Sequence, residues 1–310
     1  MTKDFPKSVL LREEGPREGF QIHPKVIPTA KKIELINALS ETGIKSIETT
    51  SFVRPDKVPQ HADAKEVAEQ IKVKEGVRYR ALYLNQKGFT RAIECKKLKV
   101  EGSIPLAASD IFLQKNSNTN IAESISNITS WLNLFKKNNV ELERIMLSMA
   151  FGSRQEGKIE AKTIISIIEK VLKEINTEHP KIILPEITLA DTTGFANPSS
   201  IERLVSECKI KWPNINIGLH LHDTKGTGMA NVYEGLRCGV NRFDCSVGGL
   251  GGCPFTKGAS GNVPTEDVAF LCEELGISTG LDLKKYVECA KLAEKIISKK
   301  LPGKLKDTFL

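Results

Sequence analysis

Several features are missing from this sequence, and each absence removes a class of function. No run of about 18 apolar residues occurs among its 310 residues, so no segment is expected to span a bilayer. Met1 to Pro6 hold no apolar core of the secretory kind, and the final Asp307-Thr308-Phe309-Leu310 does not match a Ser-Lys-Leu peroxisomal address. A cytoplasmic protein without a membrane partner is the expectation. Aromatics make up only 6%, and no basic tract is interleaved with them, which argues against nucleic acid as a partner. The seven cysteines include no C-x-x-C pair and are odd in number, so reduced thiols are expected rather than a disulfide framework or a zinc cluster. Neither a G-x-x-x-x-G-K-S/T phosphate loop nor the glycine-rich first turn of a dinucleotide fold is present.

What is present is an ordinary globular composition, 40% hydrophobic and 27% charged, with a net charge of +7. That charge serves solubility first, and it would also attract an anionic substrate such as a phosphate-bearing coenzyme. Short apolar runs alternate with stretches of helical length. Strands are expected at Ser8–Leu11, Lys45–Thr49, Gly76–Leu84, Val100–Leu106, Arg144–Met149, Lys181–Leu189, Asn216–Leu221 and Arg242–Ser246. Helices are expected between them, including one continuous helix over Ile121–Asn138, and a last one over Asp282–Lys299 stands outside the alternation. Eight strand–helix units point to an α/β fold, a (β/α)8 TIM barrel with an extra C-terminal helix. With no linker to divide it, the chain reads as one catalytic domain over 1–310, the barrel over about 8–275 and the extension over about 276–310.

The sequence Gly218-Leu-His-Leu-His-Asp-Thr224 places His220 and His222 two apart in the seventh strand. Residues at i and i+2 of a strand share a face, so the two imidazoles converge as a pair of metal ligands would. Other polar groups gather at strand ends, where such barrels keep their chemistry. After strand one come Arg17, Glu18 and Gln21. Glu18 could supply a metal oxygen, Arg17 a fixed cation for an enolate oxygen, and Gln21 a hydrogen bond to substrate; a solvated loop explains the same run equally well. Glu48, inside Ile47-Glu48-Thr49-Thr50, could orient Arg17 or a metal-bound water, or form a buried structural ion pair. After strand eight, Gly251, Gly252 and neighbouring glycines flank Cys253, a candidate proton donor or acceptor, and Asn262 offers an amide oxygen. Carboxylate, imidazole and amide together favour Mg²⁺ or Mn²⁺ over zinc.

These motifs make the sequence resemble the 3-hydroxy-3-methylglutaryl-CoA lyase family, within the wider superfamily of metal-dependent lyase and Claisen-condensing barrels. The resemblance runs through Gly15-Pro-Arg-Glu-Gly19, Ile47–Val53, Ala107-Ala-Ser109, Asp191-Thr192, His220–Thr224 and Gly251–Asn262. It implies a divalent cation held by Glu18, His220, His222 and Asn262, and cleavage of a 3-hydroxy-acyl-CoA. It further implies that Arg17 stabilises the enolate, Cys253 is the loop acid, Glu48 holds the arginine network, and Asp191 helps near the metal. His220 would touch the substrate hydroxyl. Arg17, Gln21, Gly251 and Gly252 would contact substrate, and a homo-oligomer, a dimer, is expected. Two positions depart from the family pattern. Glu18 stands where the family has Asp, a carboxylate displaced by about 1–1.5 Å. The segment Ala150–Gly157 differs from the family's Gly-Cys-Pro-Tyr-Glu-Gly and could line the substrate cavity. The alternatives are a lyase for a related 3-hydroxy-acyl-CoA, a condensing synthase, and a catalytically weak barrel that binds acyl-CoA.

Overall fold

The structure, a computed structural model, describes residues 5–252 and 261–308. Its centre is eight parallel strands: β1 (Leu10–Glu13), β2 (Ser46–Ser51), β3 (Arg78–Leu82), β4 (Gly102–Ala107), β5 (Leu142–Ser148), β6 (Glu186–Asp191), β7 (Asn216–Leu221) and β8 (Arg242–Cys245). They pair in the order β3-β2-β1-β8-β7-β6-β5-β4. Around them lie α1 (Gly15–Gln21), α2 (Thr29–Ser40), α3 (Ala64–Gln70), α4 (Gln86–Ile93), α5 (Asp110–Ser117), α6 (Ile121–Ser126), α7 (Ile128–Lys137), α8 (Ala161–Glu178), α9 (Pro198–Lys211), α10 (Gly228–Arg237), α11 (Thr265–Glu274), α12 (Leu283–Ile297) and α13 (Leu305–Thr308). None of these helices is long and apolar enough to cross a membrane.

Helix and sheet meet through ordinary periodicities. In α8, Ile164, Ile168, Val171 and Ile175 recur every three or four residues and are all buried. In β7, Ile217, Leu219 and Leu221 belong to the core beneath the helices, while Gly218 and His220 lie on the other face. A Cβ at Gly218 would stand 2.6 Å from a Glu186 carboxylate oxygen, so glycine there leaves room for charge inside the sheet.

That interior charge shows how far the sheet curls. Arg12 of β1 makes a two-pronged contact with Glu186 of β6 at 2.5 and 2.7 Å, although β8 and β7 lie between them. Arg144 of β5 reaches Asp244 of β8 at 2.9 Å. Such pairs can form only across the concave side of a curled sheet. The edges β3 and β4 approach one another without a continuous ladder. Lys99 N donates to Tyr79 O at 2.8 Å, Tyr83 OH donates to Glu101 O at 2.6 Å, and Ser103 N donates to Tyr83 OH at 3.0 Å. Further along β4, Pro105 has no N–H to offer, which suits an unpaired edge.

Five local expectations are corrected. The charged run after β1 is a helix, α1, with Pro16 in its first turn, where a missing N–H costs nothing; seven residues are too few to show a helical period. β1 itself starts at Leu10 rather than Ser8, which forms only an isolated bridge to Ser278. Strand six begins at Glu186, not Lys181; Pro185 before it accepts from Asn216 N at 3.0 Å but has no N–H to give to a ladder. The helix expected over Ile121–Asn138 is two helices joined at Asn127, which ends α6 and precedes α7. The sequence reading also missed α5, whose N-cap Ser109 accepts from Phe112 N at 3.0 Å.

Candidate active site

The polar groups singled out in the sequence come from separate elements at the carboxyl ends of the strands. α1 delivers Arg17 and Glu18, β2 delivers Glu48, and the end of β7 delivers the two histidines. His220 and His222 do share a face, with Nε2 atoms 3.2 Å apart. Glu18 reaches His222 Nε2 at 3.2 Å and His220 Nε2 at 3.7 Å. All three residues are buried, and a ligand atom from each lies within 4.8 Å of the others. Asn262 arrives from the far side of the loop after β8, where its backbone bridges His222 and Val263 N donates to Leu221 O at 3.0 Å.

Hydrogen bonding tests whether a cation fits. Glu18 Oε2 and both side-chain heteroatoms of Asn262 are buried and have no hydrogen-bond partner among the described residues. Buried polar groups are rarely left so. A carboxylate and two imidazoles converge here, and with the idle amide of the Asn262 segment beside His222 they form a donor set that suits a divalent cation of the oxygen-and-nitrogen-binding kind. Behind His220, Asp244 sits 3.4 Å from Nδ1, the outer carboxylate that commonly orients a metal-binding imidazole.

Electrostatics keeps the site charged. Burial alone would raise the Glu18 carboxyl, but Arg17 and the histidines outweigh it and hold it well below the usual carboxylate range. Burial likewise opposes charge on Arg17, whose NH2 lies 3.5 Å from both Glu14 and Glu18; Glu48, Glu18 and Glu14 keep it firmly protonated. Arg17 Nε donates to Glu48 through a very close contact. Burial also raises the Glu48 carboxyl to about 8, and Glu14 adds to that against the pull of Arg17. Glu14 goes the other way, to about 2, because Arg80 at 2.6 Å overcomes its burial. For His220, burial lowers its basicity, but Glu18 and Asp244 more than reverse this.

The site opens into a cavity of about 390 Å³ whose walls include Arg17, Glu18, Gln21, Glu48, both histidines and Gly252. It continues past the β3/β4 edges to Tyr83, Asn127 and Trp131. Four expected residues sit differently; Asn262, whose backbone bridges His222, is not among the residues that line the cavity. The Asp191 carboxylate accepts from Phe195 N at 2.6 Å and Ala196 N at 3.0 Å, capping the turn after β6, and does not line this cavity. Gly251 has φ +144°, closed to most side chains, and is not among the residues that line the cavity. Cys253 lies outside the described residues. The segment expected to line the cavity does not: Gly152–Ser153 and Gly157–Lys158 pair as a small hairpin, and Arg154 and Gln155 border a separate hollow of about 30 Å³. Sequence reasoning missed Glu14, Arg80, His61 and Asp244. Arg80 and Asp244 carried a signal, charge in otherwise apolar, strand-like runs, whereas Glu14 lay within the charged run after β1 and His61 in a short turn over Pro59–His61. His61 supports α1 from outside, its Nε2 lying 2.9 Å from Arg17 O.

Comparison with known proteins adds the following. The HMGL-like family profile matches residues 9–293. The hydroxymethylglutaryl-CoA lyase YngG of Bacillus subtilis is 37% identical over 305 residues, 98% of each chain. A solved Bacillus subtilis HMG-CoA lyase superposes with a TM-score of 0.89 at 36% identity, covering 98% of this chain and 99% of that one. An Acinetobacter baumannii HMG-CoA lyase, solved with coenzyme A and 3-methylmalate, superposes with a TM-score of 0.87 at 35% identity, covering 99% and 96%.

Proposed function

The chain belongs to the HMGL-like family, and from that premise we propose that it cleaves 3-hydroxy-3-methylglutaryl-CoA to acetyl-CoA and acetoacetate. The observation that carries this reading is the convergence of Glu18, His220 and His222 beneath a cavity that Arg17 also faces. We read the curled sheet as a (β/α)8 barrel, and the whole chain as one catalytic unit.

In the reaction the C3 hydroxyl loses its proton and the bond between C2 and C3 breaks. Its electron pair moves onto C2 and the thioester oxygen, C3 becomes the ketone of acetoacetate, and C2 gains a proton. A divalent cation, Mg²⁺ or Mn²⁺, held by Glu18, His220, His222 and Asn262, would supply Lewis-acid polarisation of the substrate oxygens. Arg17, fixed by Glu48, offsets the charge on the thioester oxygen. His220, with Asp244 3.4 Å from its Nδ1, would face the C3 hydroxyl and accept its proton. Cys253 gives C2 its proton, Gln21 and Gly252 contact the acyl group, and Asp191 holds the turn beside His222. Dimer formation and a cytoplasmic location complete the reading; light scattering tests the first.

The decisive experiment incubates metal-stripped protein with 3-hydroxy-3-methylglutaryl-CoA, with and without Mn²⁺ or Mg²⁺, and follows acetoacetate by mass spectrometry. Metal-dependent release supports the assignment, and no release under any ion removes it. A second reading, a related 3-hydroxy-acyl-CoA with a larger C3 substituent, is favoured by the reach of the cavity to Trp131. A screen of acyl-CoAs with other C3 groups separates the two.

A further inference from the structure

Glu13, at the end of β1, takes no part in the chemistry above, yet it is wholly buried and accepts four hydrogen bonds. Its Oε1 accepts from Gly15 N at 2.7 Å and Val247 N at 2.9 Å. Its Oε2 accepts from Thr265 Oγ1 at 2.9 Å and, through a very close contact, from Tyr286 OH. The donors come from four places. Gly15 opens α1, which carries Arg17 and Glu18. Val247 begins the turn leading to Gly251 and Gly252. Thr265 lies three residues after Asn262, and Tyr286 belongs to α12. One carboxylate therefore fixes the backbone on both sides of the ligand set.

We propose that Glu13 is a positioning residue that sets the spacing between the Glu18 and Asn262 segments, and that Tyr286 anchors it from the C-terminal helix. The C-terminal segment and α11 each grip the same turn again. Gly303 N donates to Gly248 O at 2.9 Å, and Glu266 Oε2 accepts from Gly248 N at 2.9 Å. Gly248 has φ +65°, and a Cβ there would meet the Leu301 side chain at 2.6 Å. α12 thus acts as a strut for the site, although none of its residues lines the cavity. A shift of about 1 Å in a ligand segment is enough to cost a large factor in activity.

This inference rests on the metal-dependent reading, so its test uses metal affinity without substrate. Calorimetry with Mn²⁺ on the full chain should show Glu13→Ala weakening binding by about tenfold or more, the scale of outer-partner loss. Glu13→Gln should stay within about threefold, because the amide keeps both N–H bonds and the two hydroxyls can turn to accept. Tyr286→Phe should weaken Mn²⁺ by about three- to tenfold and lower kcat more than it changes KM. It should also speed amide exchange in peptides covering 15–21 and 246–250. Wild-type Mn²⁺ affinity and exchange in both Glu13→Ala and Tyr286→Phe would overturn the proposal. If Glu13→Ala fails to fold, Tyr286→Phe decides alone. A wild-type chain that binds Mn²⁺ but releases no acetoacetate would sink the proposed reaction and leave this test standing.

Discussion

At the scale of single residues, Glu18 is squeezed between one fixed cation and two imidazoles. Its charge balances Arg17 and aims the histidines. Glu18→Gln removes that charge while keeping the shape. It should raise the Mn²⁺ dissociation constant by at least about tenfold, with a folded circular dichroism spectrum retained. His222→Ala should likewise abolish the bound ion in elemental analysis; unchanged metal content would remove it from the ligand set. Asp244 has a different task, since it supports His220 from behind and pairs with Arg144 and Arg12. The parity of His220 and His222 was readable from their spacing alone. The pairing of His220 with Asp244 was not, because β8 meets β7 only through the sheet.

At the scale of elements, α1 matters most. It is short, it follows β1 directly, and it must lie close enough to the loop after β8 for Glu18 to meet the histidines. Gly19 permits that approach: a Cβ there would fall 2.1 Å from Leu250 Cγ, well inside contact distance. Gly19→Ala should destabilise the fold by about 1–3 kcal/mol, the usual cost of overpacking. Urea unfolding measures this, and weaker Mn²⁺ binding should accompany it. The sequence showed α1 only as a cluster of charges around Gly15 and Pro16, because one and a half turns carry no legible period. Longer elements were legible. β7 occupies Asn216–Leu221 as the apolar alternation indicated, and α8 follows the stripe from Ile164 to Ile175. The break at Asn127 was hidden because the apolar spacing runs on across it.

At the scale of the whole molecule, the interior of the sheet is a lattice of ions. Arg144 joins Asp244 and Glu101, Arg80 joins Glu101 and Glu14, and Arg12 joins Glu186. Removing one partner leaves the others buried and unpaired. Arg144→Ala should therefore cost about 3–5 kcal/mol in chemical denaturation, more than a typical surface change. Buried carboxyls inside and beside this lattice set the pH response of the metal-stripped protein. Burial raises Glu13 to about 7 and Glu48 and Glu266 to about 8, against an ordinary value of 4.5. Each holds a proton in the folded state that the unfolded chain releases near 4.5, so each loses stability as pH rises from there to about 8. His61, lowered to about 4 chiefly by burial, acts oppositely below 6.5, but it is one group against three. Glu14 and Glu186, brought to about 2 because their arginine partners overcome burial, add stability above 4.5 that is lost in acid. The melting temperature should be highest near pH 5 and fall toward pH 8.5. Scanning calorimetry in the presence of a chelator checks this, and a rise toward pH 8.5 would contradict it.

The sequence by itself determined what depends on neighbours along the chain: the strand–helix alternation, the shared face of His220 and His222, and which motifs carry the family resemblance. The resemblance implied that Glu18 meets the histidines, but the distances, and every distant contact outside the motifs, came only with the tertiary structure. Glu18 lies about two hundred residues from the histidines it meets, and Arg144 finds Asp244 across two intervening strands. Side-chain direction is a local consequence of backbone geometry. Proximity between elements is fixed by the curl of the sheet, which arises only when all eight strands pack together.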